Sequence, residues 1–125
     1  MMELTINGQV YQFHFGMGFL REVNKIVNAP VEGIPGMKKD IGARYMFARV
    51  IDGEADALVE VLNLANMGQD PRVTRALLDA YVDDPETDID QLFEDTLDFL
   101  EKANATRKTV QKLMEAIRKS EEENQ

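Results

Sequence analysis

The sequence predicts an α+β fold, mainly α, in which an N-terminal β-hairpin packs on an array of about five to six helices. Three observations predict it. Two segments of alternating apolar and polar residues flank Asn7-Gly8; from Gly18 onward apolar residues recur at helical intervals; and Pro and Gly clusters cut that helical part into short pieces. At 125 residues, with 44% hydrophobic residues to fill a core, the chain is the size of one domain. The expected domain covers residues 1–119, with the hairpin at 2–15 and helices to about 119, and residues 120–125 form a polar C-terminal tail.

A two-residue turn at Asn7-Gly8 sets the hairpin register: Ile6 faces Gln9, Leu4 faces Tyr11 and Met2 faces Phe13. One side then carries Met2, Leu4, Ile6, Tyr11, Phe13 and Phe15, and the other Glu3, Thr5, Val10, Gln12 and His14. A lone two-stranded ribbon is marginal in water, so the apolar side must lie on the helices.

Helix one is expected to carry Phe19, Leu20, Val23, Ile26 and Val27 and to stop at Asn28-Ala29-Pro30. Gly33, Pro35 and Gly36 then make Pro30 to Lys39 a loop or a short extended piece. Asp40 is the expected cap of a second helix bearing Tyr45, Met46, Phe47, Val50 and Ile51, ended by Asp52-Gly53. The third has the stripe Leu58, Val61, Leu62 and Ala65 and closes at Met67-Gly68. Asp70-Pro71 is expected to cap and open the fourth, whose buried face is Val73, Leu77, Ala80 and Tyr81. The fifth starts at Asp88, burying Ile89, Leu92, Phe93, Leu97 and Leu100 beneath an acidic outer face. The last opens near Asn104 or Thr106 along Val110, Leu113, Met114 and Ile117, and frays beyond Lys119.

Asp and Glu total 23 against 14 Lys and Arg, a formal charge of −9. Phosphate attraction needs a cation excess, so nucleic acid and anionic membrane surfaces are disfavoured partners. With no cysteine, disulfides, thiolate metal sites and thiol nucleophiles are excluded. Neither a charged n-region with an apolar h-region nor an 18-residue apolar run occurs, which predicts an intracellular protein.

Candidate chemistry is thin. His14 is the only histidine and alternates onto the polar hairpin face, which leaves no multi-histidine metal site. Asp83, Asp84, Glu86, Asp88 and Asp90 partly imitate a calcium loop, but Pro85 interrupts them and the turn glycine is missing, so capping and solubility explain them better. A small hydrolase using Asp83 and Asp88 would need both carboxylates converging in a water-excluded cleft. Gly16-Met17-Gly18 lacks both the dinucleotide fingerprint and the Gly-Lys-Ser/Thr ending, and reads as a tight strand-to-helix corner. No catalytic, cofactor or metal residue is therefore assigned.

Binding is the remaining class. Seven methionines offer adaptable apolar contact, and Met17 and Met37, flanking glycine-rich elements, are the ones expected at the surface. The last helix joins Arg107, Lys108, Lys112, Arg118 and Lys119 to the edge Val110, Leu113, Met114 and Ile117. It either docks a partner or packs antiparallel on the acidic helix Asp88 to Ala103 with charges matched along the seam. Met17, Met37, Val110, Leu113, Met114 and Ile117 are thus the expected partner or self-association surface.

The run Met2-Glu3-Leu4-Thr5-Ile6-Asn7-Gly8-Gln9-Val10-Tyr11 leading into Phe13 to Glu22, the acidic stretch Ile89 to Leu100 and the closing Ala105-Thr106-Arg107-Lys108-Thr109-Val110 resemble the tail assembly chaperones of siphophages and prophages of Gram-positive bacteria. The resemblance implies a non-enzymatic role in virion morphogenesis: coating the tape measure protein while tail tube subunits polymerise and displace the chaperone. It further implies self-association into spirals, location in the cytoplasm of the infected or lysogenic host, absence from the mature virion, and a longer frameshifted form in many members. The alternative is a generic intracellular helix-binding adaptor or regulatory module.

Overall fold

The computed structural model describes residues 1–124. Its elements run β1 (Met2–Ile6), β2 (Gln9–Phe13), α1 (Met17–Asn24), β3 (Asn28–Pro30), β4 (Lys38–Asp40), α2 (Gly42–Ile51), α3 (Ala55–Ala65), α4 (Arg75–Asp83), α5 (Ile89–Lys102) and α6 (Arg107–Glu123). The expected hairpin on six helices is present.

The hairpin has the expected register, Met2 opposite Phe13 and Ile6 opposite Gln9. Asn7 and Gly8 both take positive φ, 52° and 79°, the pair of left-handed conformations a two-residue turn requires. Met2, Ile6 and Phe13 are buried, so the predicted apolar face is the covered one. Two bonds fasten it to the end of α3: the His14 N–H donates to the Ala65 carbonyl at 2.8 Å, and the Asn66 amide donates to the Gln12 carbonyl at 2.8 Å. Phe15 then meets Phe19 edge-on at 5.2 Å, and Phe19 stacks on Phe47 at 6.1 Å, which links the hairpin through α1 to α2.

Helix α3 is the centre. Ala57, Leu58, Val59, Val61, Leu62 and Ala65 are all buried, a wider stripe than the predicted Leu58, Val61, Leu62 and Ala65, because α1, α2 and α4 all pack around it.

Several expectations need correction. Helix α1 stops at Asn24, three residues short, and the chain leaves it to form β3. The stretch expected as a loop or extended piece is a second small hairpin, with Asn28 opposite Asp40 and Pro30 opposite Lys38, reversed where Gly33 and Gly36 take positive φ. That pairing holds Asp40 in strand, so it cannot cap α2. The cap comes from another element: the Ala43 N–H donates to Asn24 Oδ1 at 3.0 Å.

Helix α4 likewise starts later than Asp70-Pro71 predicts. Thr74 is its N-cap, with the Leu77 N–H donating to Thr74 Oγ1 at 3.1 Å, and Leu78 is its buried residue while Ala80 is exposed. Thr74→Ala is expected to cost about 1 kcal/mol and Asp70→Ala less than about 0.5 kcal/mol. Urea unfolding of the two variants decides which residue is the cap.

Helix α5 starts as expected, with Asp88 Oδ1 accepting the Gln91 N–H at 3.1 Å. Its buried stripe is Leu92, Thr96 and Leu100; Phe93 and Leu97 are only partly covered. Thr96 satisfies its hydroxyl on the Leu92 carbonyl at 2.8 Å, and the buried Thr106 hydroxyl donates to the Leu100 carbonyl. Helix α6 continues to Glu123 rather than fraying after Lys119, although every described residue from Met114 on is exposed. The expected charge-matched seam is absent: among the described residues no ion pair joins α5 to α6. The reason is that α6 packs on α2 as well as α5, which takes Lys108 and Lys112 to the N-terminus of α2.

Candidate partner-binding surfaces

Of the six predicted contact residues, Met17, Met37, Met114 and Ile117 are exposed, Leu113 is partly buried against the core, and Val110 is fully buried. Val110 anchors α6 in the core, since the α6 stripe enters the core at its N-terminal end and leaves it after Leu113. Met37 lies just before β4, and Met114 and Ile117 on the projecting half of α6.

Met17 borders two clefts. Its backbone opens α1 straight after the corner at Gly16, and its side chain stands between them. The first, about 450 Å³, is lined by Met1, Phe13, Phe15, Met17, Phe99 and Ala103 together with His14. The second, about 360 Å³, is lined by Met17, Phe19, Leu64 and Met67, again with His14. Met1, Met17 and Met67 are 61%, 49% and 44% exposed. Exposed apolar side chains scattered singly need no explanation, whereas these three border two clefts that share Met17 and His14. Met1 and Met67 were not singled out by sequence, because nothing in a lone Met next to Gly68 says which way it points.

The polar rim of these clefts is held in place. Lys102 borders the first cleft and is bonded to Asp98 at 2.9 Å, a contact that raises its pKa and keeps the ammonium charged. Glu22 borders the second and pairs with Lys25 at 3.1 Å. The His14 ring covers the backbone of Gly16, where a Cβ would lie 2.5 Å from Nε2, so a larger residue there would make the exposed His14 ring turn aside.

Elsewhere Arg49 bridges α2 to the start of α3, 3.0 Å from Glu54 and 2.6 Å from Asp56. The hydrogen bond from Arg49 holds the Asp56 carboxyl below the usual carboxylate range, and Asp56 and then Glu54 push the guanidinium pKa up.

The acidic cluster borders an open depression of about 810 Å³ between the first hairpin turn and the α4 to α5 connection. Asp83, Asp84, Glu86 and Asp88 are all exposed. Asp84 accepts the Glu86 N–H at 3.0 Å and Asp88 caps α5, so these acids shape a turn and are not shielded from water. Among the described residues no group of three or more His, Cys, Asp or Glu could hold a metal ion, and no helix is long and apolar enough to cross a membrane.

A further depression of about 230 Å³ lies where β4, the N-terminus of α2 and the first half of α6 meet. Lys39, Arg44, Lys108 and Lys112 line it, with Asp40 as the single carboxylate and Asn24 beneath.

Compared with known proteins, the chain matches the family model described as phage tail assembly chaperone protein, TAC, over residues 3–115. No curated protein and no solved structure matches it.

Proposed function

The chain belongs to the phage tail assembly chaperone family, and from that premise we propose that it binds the tape measure protein and keeps it soluble during tail morphogenesis. The observation that carries this reading is the methionine-rimmed groove formed by the clefts on either side of Met17. A long helical client presents apolar side chains at i, i+3, i+4 and i+7, and a groove lined by Phe and Met accepts such a stripe without demanding one sequence. The net charge of −9 keeps neighbouring copies apart from bulk aggregates when many crowd on one client. Modest affinity per copy, multiplied along the client, permits both a firm overall grip and later displacement by tail tube subunits.

In this reading the protein acts without catalysis, in the cytoplasm of the bacterial host, and leaves before the virion is complete. Copies held side by side on the client contact one another through exposed residues outside the groove, among them Met37, Met114 and Ile117.

Co-expression with the tape measure protein of the same genome is expected to give a soluble complex that co-purifies. Met17→Asp with Met67→Asp is expected to reduce the recovered complex at least about tenfold, since each carboxylate would be desolvated beneath the client. Both positions are exposed, so thermal unfolding of the double variant should match the parent. Recovery of the client at parental levels with the double variant would place binding elsewhere.

A further inference from the structure

We infer that the basic depression between β4, α2 and α6 is a docking site for an acidic protein segment, separate from the methionine-rimmed groove. The two share no lining residue. Among the described residues four of the 14 Lys and Arg, namely Arg49, Arg75, Lys25 and Lys102, form ion pairs and ten do not, so what distinguishes the cations here is that four of those ten gather in one place. These are Lys39, Arg44, Lys108 and Lys112: among the described residues none forms an ion pair, and all four border one depression.

Local backbone electrostatics adds to the positive potential. The N-terminal end of α2 and the first turns of α6 line this region, and neither helix has an acid in its first turn. The macrodipole favours acids there, yet the side chains present are Arg44 on α2 and Arg107 and Lys108 on α6. Lys108 and Lys112 are also one turn apart on the same face, a like-charge pair that opposes the helix. Three unfavourable placements in one spot are relieved together by an anion.

The size and spacing of the site select the ligand. About 230 Å³ exceeds what one small ion fills, a water occupying about 30 Å³. Cations from three elements suit several carboxylates in succession, and the spacing of Lys108 and Lys112 matches side chains on neighbouring turns of an acidic helix. Asn24 gives its carbonyl to the Ala43 N–H, which leaves its amide N–H groups for the same ligand. Asp40 at the edge and the overall charge of −9 disfavour a continuous polyphosphate, which would have to approach past the acidic surface on both sides.

The test is fluorescence anisotropy of a labelled hexaglutamate peptide with the full-length protein at low salt. Saturable 1:1 binding is expected, weakened at least tenfold in Lys108→Glu with Lys112→Glu and in Lys39→Glu with Arg44→Glu. It should be unchanged in Arg118→Glu with Lys119→Glu, which carries the same change of net charge on the projecting end of α6. All six side chains are exposed, and circular dichroism checks that each variant keeps its helices. Absence of saturable binding, equal loss in the Arg118 and Lys119 variant, or equally tight binding of a hexathymidylate would each overturn the proposal. Because Met17 and Met67 lie outside the site, retained tape measure binding with lost peptide binding separates this proposal from the chaperone reading.

Discussion

Replacing Gly42 by alanine is expected to lower stability by about 3 kcal/mol or more, and to be among the most damaging single-methyl changes in the chain. A Cβ at Gly42 would lie 1.9 Å from the Val23 carbonyl oxygen and 2.9 Å from that of Asn24. Both are backbone atoms at the end of α1 and cannot turn aside as a flexible side chain would, so α2 must back away from α1. That movement also pulls the Ala43 N–H off Asn24 Oδ1, the only side-chain cap α2 has among the described residues, at a further cost of about 1 kcal/mol. Alanine's better helix propensity returns at most about 1 kcal/mol, so the clash wins. Gly18 provides the control: it is also helical, an added Cβ there meets nothing within 4 Å, and Gly18→Ala should stabilise by about 0.4–1 kcal/mol. Urea unfolding of the two variants should move in opposite directions. A Gly42→Ala protein as stable as its parent would remove the close approach of α1 and α2 from the account.

That contrast shows what the sequence discloses and what it hides. The Asn7-Gly8 turn, its register and the face it buries were legible because a two-residue turn and a period of 2 are local rules. The Asp88 cap was legible for the same reason, since the residue that caps and the helix it caps are adjacent. Asp40 and Asp70 are the same kind of residue before the same kind of pattern, and both failed as caps. In the first case β4 claims the backbone; in the second Thr74 stands nearer the first helical turn. Gly42 carries no local signal of its role, because its crowding comes from residues some twenty positions away.

The candidate surfaces divide in the same manner. Met17 was legible from the glycines on either side of it, but its setting comes from Met1 and Met67, which only the packing of the chain brings to the two clefts that Met17 borders. The basic character of α6 was legible and its destination was not. The acidic face of α5 is the nearer match in sequence, yet Lys108 and Lys112 face α2, because packing of the α6 stripe rather than charge pairing sets the rotation of the helix. Val110, read as part of a contact edge, is instead the residue that fixes that rotation.

Asn66 is the second position where a large loss is expected, and the reasoning there is about polar groups instead of volume. The side chain is completely buried just past the end of α3 and uses both ends. Its amide donates to the carbonyls of Gln12 at 2.8 Å and Pro71 at 3.3 Å; its oxygen accepts the Val73 N–H at 2.6 Å and Arg72 Nη1 at 2.9 Å. One residue thereby joins the second hairpin strand to the segment that leads into α4. Asn66→Leu keeps the approximate size and removes every bond, leaving the Val73 N–H and the Gln12 carbonyl without the partner they have in the fold. Each stranded group costs about 1–3 kcal/mol, so a loss of about 3–5 kcal/mol is expected, a large share of the 5–15 kcal/mol typical of a domain. Asn66→Asp keeps the acceptor for Val73 and Arg72 while losing the donor to Gln12, and should fall between parent and Leu variant. Amide exchange gives the spatial signature: the His14 N–H, bonded to the Ala65 carbonyl, should lose protection in the Leu variant ahead of the centre of α3. Equal stability of the Leu variant and the parent would mean that the hairpin is held by its apolar face alone, through Met2, Ile6 and Phe13, and that the network only fills space.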